Sequence, residues 1–123
     1  MRVLLADDQP EVRSALRLLL EQQPGLDVVG EASEAGDVSA QVQRFNPDVV
    51  LLDWELPGPG SAELPAALRS LCPRLLIVAL SGRPEAEAAA LATGVDAFVS
   101  KGDPPESLLT TLRRLAAMGS HGA

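Results

Sequence analysis

Hydrophobic positions along this chain alternate between two periods. Five short aliphatic runs, RVLLA (2–6), DVV (27–29), DVVLL (48–52), RLLIVAL (74–80) and DAFVS (96–100), read as strands. The third and fourth are apolar on consecutive positions, as strands covered on both faces are. Between the runs the period lengthens to that of a helix. Val12, Leu16, Leu19 and Leu20 share one face of a segment that Pro10 can open and Pro24-Gly25 closes. Val38, Val42 and Phe45 mark a second helix, stopped before Asn46-Pro47. Leu64, Leu68 and Leu71 mark a third, with Pro65 at its first position and Pro73 closing it. A fourth, expected over residues 84–93, has Leu91 as its single large apolar anchor and ends at Gly94. The fifth is expected to use Asp103 as N-cap, with Glu106 three residues on, before Leu108, Leu112 and Leu115.

Five alternations of strand and helix predict an α/β fold: right-handed crossovers and a parallel sheet with helices on both faces. A chain of 123 residues makes one domain with a real core, and no repeat or second domain is marked. That domain is expected over residues 1–118, with a frayed tail over 119–123. Hydrophobic residues are 46% and charged residues 22%, the balance of a soluble globular protein. The apolar runs are too short to span a bilayer, and MRVLLADD reads as a strand rather than a signal peptide. A net charge of −7 disfavours direct binding to nucleic acid or anionic membranes. The single cysteine, Cys72, forbids an internal disulfide, fits a cytoplasmic location, and reads as a small core residue at the end of the third helix.

In an open parallel sheet, ligands sit beyond the carboxyl ends of the strands, where the strand order reverses. The residues at those ends are Asp7-Asp8, Asp53, Ser81-Gly82 and Lys101-Gly102. Asp53 terminates the most apolar run of the chain, VVLLD, and a buried carboxylate needs a partner or a cation. Three carboxylates in one crevice repel, and one lysine does not neutralise them. A divalent cation with an oxygen preference, Mg²⁺, does so better than a softer metal, and no Cys or His lies nearby for zinc. Singly, each residue has a plainer reading: the Asp pair as a helix cap, Ser-Gly as a turn, Lys101 as a solvated loop residue. Their combination at four strand ends carries the signal.

The chain resembles the receiver domain of bacterial two-component response regulators over essentially its whole length. LLADDQPEVRSAL, PDVVLLDWELPG, LSG and GVDAFVSKG carry the resemblance, and the block with DPPESLL is similar to receivers joined to a helix-turn-helix DNA-binding output domain. The resemblance implies a flavodoxin-like sheet of order 2-1-3-4-5 with five helices. It implies that Asp53 accepts a phosphoryl group from a sensor histidine kinase, and that the domain is a switch rather than an enzyme. Asp8, Asp53 and the backbone carbonyl of Glu55 would hold Mg²⁺ directly, with Asp7 acting through water. Lys101 would neutralise charge on the phosphoryl group and Ser81 would donate its hydroxyl to it. Phe98 would then turn inward and reshape the surface of the fourth helix, fifth strand and fifth helix. Implied partners are the kinase, an output domain in cis or in trans, and a second copy on phosphorylation.

Departures from the family pattern fall mostly on the output side. Gly102 stands where proline is common, GPGSAEL replaces the usual acidic turn, and the segment from Ser81 to Lys101 is short. Trp54 is bulkier than the usual aliphatic and is expected to pack on the neighbouring loop. Glu55 and Arg83 each lie two residues past a site residue, and read either as independent solvated side chains or as a pair across the crevice. Rival functions fit less well. A nucleotide-binding domain needs glycines after the first strand, and ADDQPEVR has none. An aspartyl phosphotransferase needs a second acid, for which Glu55 is a loose match, and a substrate-covering cap. A phosphorylation-independent interaction scaffold stays open as the alternative.

Overall fold

The fold follows from two apolar sheet faces, each of which must be covered by helices. In the computed structural model, which describes residues 1–121, five strands form one parallel sheet. They are β1 (Arg2–Ala6), β2 (Asp27–Ala32), β3 (Val49–Asp53), β4 (Leu76–Ser81) and β5 (Ala97–Ser100), in the order β2-β1-β3-β4-β5. The helices are α1 (Pro10–Glu21), α2 (Ala35–Phe45), α3 (Leu64–Leu71), α4 (Glu87–Ala92) and α5 (Pro105–His121). Of the tail expected at 119–123, residues 122 and 123 lie outside the described residues, and α5 runs to His121.

Side chains alternate across the strands and divide the core in two. Leu4, Val50, Leu52 and Ile77 face α2, α3 and α4, where they meet Val38, Val42, Leu64, Leu68 and Ala90. Val3, Leu5, Val49, Leu51 and Val78 face the other way, onto Leu20 of α1 and Leu108, Leu112 and Leu115 of α5. All five residues of β3 are buried, which explains its unbroken apolar run. Each fully buried leucine contributes about 1.5–3 kcal/mol of transfer free energy. The amino end of the sheet is closed by Arg2, whose guanidinium donates to the carbonyls of Phe45 and Asn46. Asn46 takes the left-handed conformation, φ 48°, that ends α2.

Several elements depart from their expected form. β2 extends three residues beyond DVV. Gly30 and Glu31 interrupt its apolar pattern, yet Gly30 gives α2 room to approach: a Cβ there would sit 2.8 Å from Gln41 Oε1 and 2.9 Å from Phe45 Cδ2. Glu31 is held by Arg13 and Arg17 of α1. Asp103 is not the N-cap of α5. Pro104 and Pro105 disfavour helical backbone in the residues before them, so the helix opens at Pro105. Leu71 and Leu91 are 45% and 44% exposed, so neither anchors its helix. The fourth helix is instead a 3-10 turn (Pro84–Ala86) followed by the six residues of α4, seated on the small side chains of Ala86 and Ala90.

Candidate functional site

The carboxyl ends of β1, β3, β4 and β5 bring the predicted side chains to one edge of the sheet. Asp53 is the last residue of β3, and Ser81 the last of β4. Asp7 and Asp8 directly follow β1, and Lys101 directly follows β5. Strand pairing sets their alignment: Asp53 lies opposite Leu80, and Ser81 opposite Ser100.

Asp7 is the most completely held of these groups. Its backbone N–H donates to Ala32 O, its Oδ1 accepts the N–H of Gln9 at 2.9 Å, and its Oδ2 accepts Lys101 Nζ at 2.8 Å. Arg13 Nη1 donates to the Asp7 carbonyl at 2.6 Å, a positioning contact with no motif to announce it in the sequence. The Glu55 N–H donates to Asp53 Oδ1 at 3.0 Å, and Lys101 Nζ lies 3.3 Å from the same oxygen. Asp53 Oδ2 receives no hydrogen bond among the described residues, so one carboxylate oxygen stays open.

Asp7 and Asp53 are 1% and 3% exposed, whereas Asp8 is exposed. Burial pushes the Asp53 carboxyl up, the N–H of Glu55 opposes that, and the charge of Asp7 adds to it, leaving the group above its ordinary value. Burial pulls the Lys101 ammonium down, but its contacts with Asp7 and Asp53 outweigh this and its pKa is raised. A protonated lysine thus lies between two buried acids and offsets one of three negative charges.

Carboxylate oxygens of Asp7, Asp8 and Asp53 lie within 4.8 Å of one another. An all-oxygen donor set with residual negative charge, open on the Asp8 side, fits a hard divalent cation and offers zinc no nitrogen or sulfur.

Ser81, fully buried, forms a second group with Glu55 and Arg83 on the rim above it. The Ser81 hydroxyl donates to the Glu55 carboxylate, with Oε1 and Oε2 at 3.0 and 2.9 Å. Arg83 Nη2 lies 3.3 Å from Glu55 Oε2, which answers the open question about this pair. The link from Ser81 to Glu55 had no signal in the sequence. Trp54 is part-buried against the core and lines a cleft with Ser61, Ala62 and Leu64. Phe98 is half-buried against the core on the α2, α3 and α4 side. The Pro57-Gly58 turn also has a local cause. Pro57 O accepts the N–H of Ala35, and Gly58, at φ +115°, lies where a Cβ would come 3.3 Å from that nitrogen.

The family model of the response regulator receiver domain matches residues 3–113. The chain belongs to that family. This receiver domain is 35% identical over 117 residues to the nitrate/nitrite response regulator protein NarL of Escherichia coli, covering 94% of this chain and 54% of NarL. It is 33% identical over 104 residues to a protein-glutamate methylesterase/protein-glutamine glutaminase of Rhizobium etli, covering 84% of this chain and 30% of that enzyme. Among solved structures it superposes on the isolated receiver domain of RcsB from Salmonella enterica serovar Typhimurium, in the presence of the phosphomimetic BeF3⁻. The TM-score is 0.86 and the identity 27%, with 95% of this chain and 88% of that one covered. The chain spans about half the length of NarL. Its relatives include response regulators, and no helix among its described residues is long and apolar enough to cross a membrane.

Proposed function

We propose that Asp53 is the phosphoacceptor of this receiver domain, in a unit of residues 1–118. The observation that carries the proposal is the state of its carboxylate. One oxygen is bound by a backbone N–H and a lysine, the other accepts no hydrogen bond among the described residues, and carboxylate oxygens of Asp7 and Asp8 lie within 4.8 Å. Asp53 Oδ2 attacks phosphorus of a phosphohistidine on a sensor kinase. The new O–P bond forms as the P–N bond breaks, and the imidazole leaves with the electron pair. Lys101 faces the negative charge that gathers on the transferring group, and burial strengthens that attraction.

Asp8, Asp53 and the backbone carbonyl of Glu55 would hold Mg²⁺, with Asp7 behind them through water. The ion would supply charge neutralisation at the phosphoryl oxygens. The phosphorylated aspartate adds a dianion to the crevice and draws the Ser81 hydroxyl toward it. As Ser81 moves, Phe98 on the neighbouring strand turns inward and the α4-β5-α5 face changes its packing. That face acts on an output domain in cis or in trans, or on a second copy. The domain works as a cytoplasmic switch, not as an enzyme acting on other substrates, and touches nucleic acid only through a partner.

Incubation with Mg²⁺ and a small amido phosphate tests the assignment. The wild-type chain should gain one labile phosphate and Asp53→Asn none, by intact mass. A folded wild-type chain that stays unlabelled would favour the phosphorylation-independent scaffold, and equal labelling of Asp53→Asn would remove Asp53 from the role.

A further inference from the structure

We propose that Glu55 is a resting-state competitor for the phosphoryl group: its side chain engages Ser81 and Arg83, the donors a phosphoryl group would recruit, and so sets how readily the site is activated. The inference rests on Asp53 as the acceptor and adds a role for a side chain on the turn that follows it.

A serine hydroxyl has one proton. In Ser81, which is fully buried, that proton is directed at both oxygens of the Glu55 carboxylate, at 3.0 and 2.9 Å. The Ser81 oxygen meanwhile accepts the backbone N–H of Arg83 at 3.0 Å. Both sides of the hydroxyl are engaged, so Ser81 cannot donate to a group on Asp53 without leaving Glu55. Arg83 completes the arrangement from the solvent side, with Nη2 at 3.3 Å from Glu55 Oε2. One hydroxyl and one guanidinium thus converge on an oxyanion, the donor types a phosphoryl oxygen takes.

Glu55 reaches this position because the turn after β3 is anchored by its own N–H on Asp53 Oδ1. Backbone and side chain of one residue therefore tie the acceptor to the switch serine. A phosphoryl dianion on Asp53 places like charge beside the Glu55 carboxylate and competes for its donors. Glu55 is then displaced, and Ser81 and Arg83 pass to the phosphoryl group together. Until that exchange, only the fraction of molecules with Ser81 released can bind fully, which weakens apparent affinity in proportion.

Calorimetric titration of the full chain with beryllofluoride at saturating Mg²⁺ tests this, since the mimic forms no labile product. Glu55→Ala should bind it about tenfold tighter than wild type, the scale of one charge-assisted hydrogen bond. Glu55→Gln, which keeps the shape and one acceptor oxygen, should fall between them. In a Ser81→Ala background the gain from Glu55→Ala should shrink to about threefold or less, because only the exposed Arg83 contact and charge repulsion remain to be relieved. Glu55→Ala binding no tighter than wild type, or gaining equally with and without Ser81, would overturn the proposal while leaving Asp53 as acceptor. A wild-type chain that binds no beryllofluoride would overturn the Asp53 assignment, and the role of Glu55 with it.

Discussion

Lys101 is the residue on which the electrostatics of the crevice turn. Its ammonium contacts Asp7 Oδ2 at 2.8 Å and Asp53 Oδ1 at 3.3 Å, and both acids are buried. Removing it leaves two carboxylates without a counter-charge, which is worse than never having buried the pair. Lys101→Ala should lose about 2–3 kcal/mol in urea unfolding at pH 7 without Mg²⁺, below the fully buried range because the lysine side chain is 23% exposed. The pH dependence has a definite sign. The pKa of Lys101 is raised in the folded state, so its contribution is complete below the unfolded value of about 10.4 and is lost as pH climbs through the folded value. The difference between wild type and Lys101→Ala should therefore stay level on this account from pH 7 to 9 and shrink only in more alkaline solution. A difference that vanished by pH 8 would contradict the ion pair as its source.

At the level of elements, α4 stands apart. It buries Ala90 completely and, with the turn before it, most of Ala86, but its largest apolar side chain, Leu91, faces outward. A helix that hides so little apolar surface opens at low free energy. Amide exchange over residues 87–92 should exceed that of α1 and α5 by roughly tenfold or more, and should change on phosphorylation of Asp53. Protection equal to that of β3 and β4 would rule out α4 as a readily repacked element.

The same helix shows where sequence reading stops. Periodicity identifies a face but not its depth, so Leu91 and Leu71 were natural anchors by pattern. Close seating on the sheet instead selected alanines, which carry no hydropathy contrast. β1, β3 and β4 were legible because burial on both faces leaves a continuous aliphatic record. The second half of β2 was not, since Gly30 answers a packing demand from α2 and Glu31 an ionic one from α1. The acids, Ser81 and Lys101 could be read because strand ends converge in this topology. The hold of Glu55 on Ser81 could not, because it depends on the direction of a side chain in a turn.

For the whole molecule, a cation in the crevice is a ligand of the folded state alone, since Asp7, Asp8 and Asp53 converge only when β1 and β3 are paired. Mg²⁺ at a hundredfold excess over its dissociation constant should raise unfolding free energy by about 2.7 kcal/mol. Asp8→Ala should fold at least as well as wild type without metal, having one repelling charge fewer, and should lose the Mg²⁺ increment in thermal melts. A full increment retained in Asp8→Ala would remove Asp8 from the ligand set.

The bond from Lys101 to Asp7 spans 94 residues of chain. On a ribosome, β1 and β3 emerge long before the lysine that balances their acids, and β5 must then dock on β4 to deliver it. Until β5 has docked, the crevice is three carboxylates without their protein counter-ion, a poor host for an incoming anion. The balanced crevice is thus among the last features this domain acquires as it folds, because it needs the first strand of the sheet and the turn after the last.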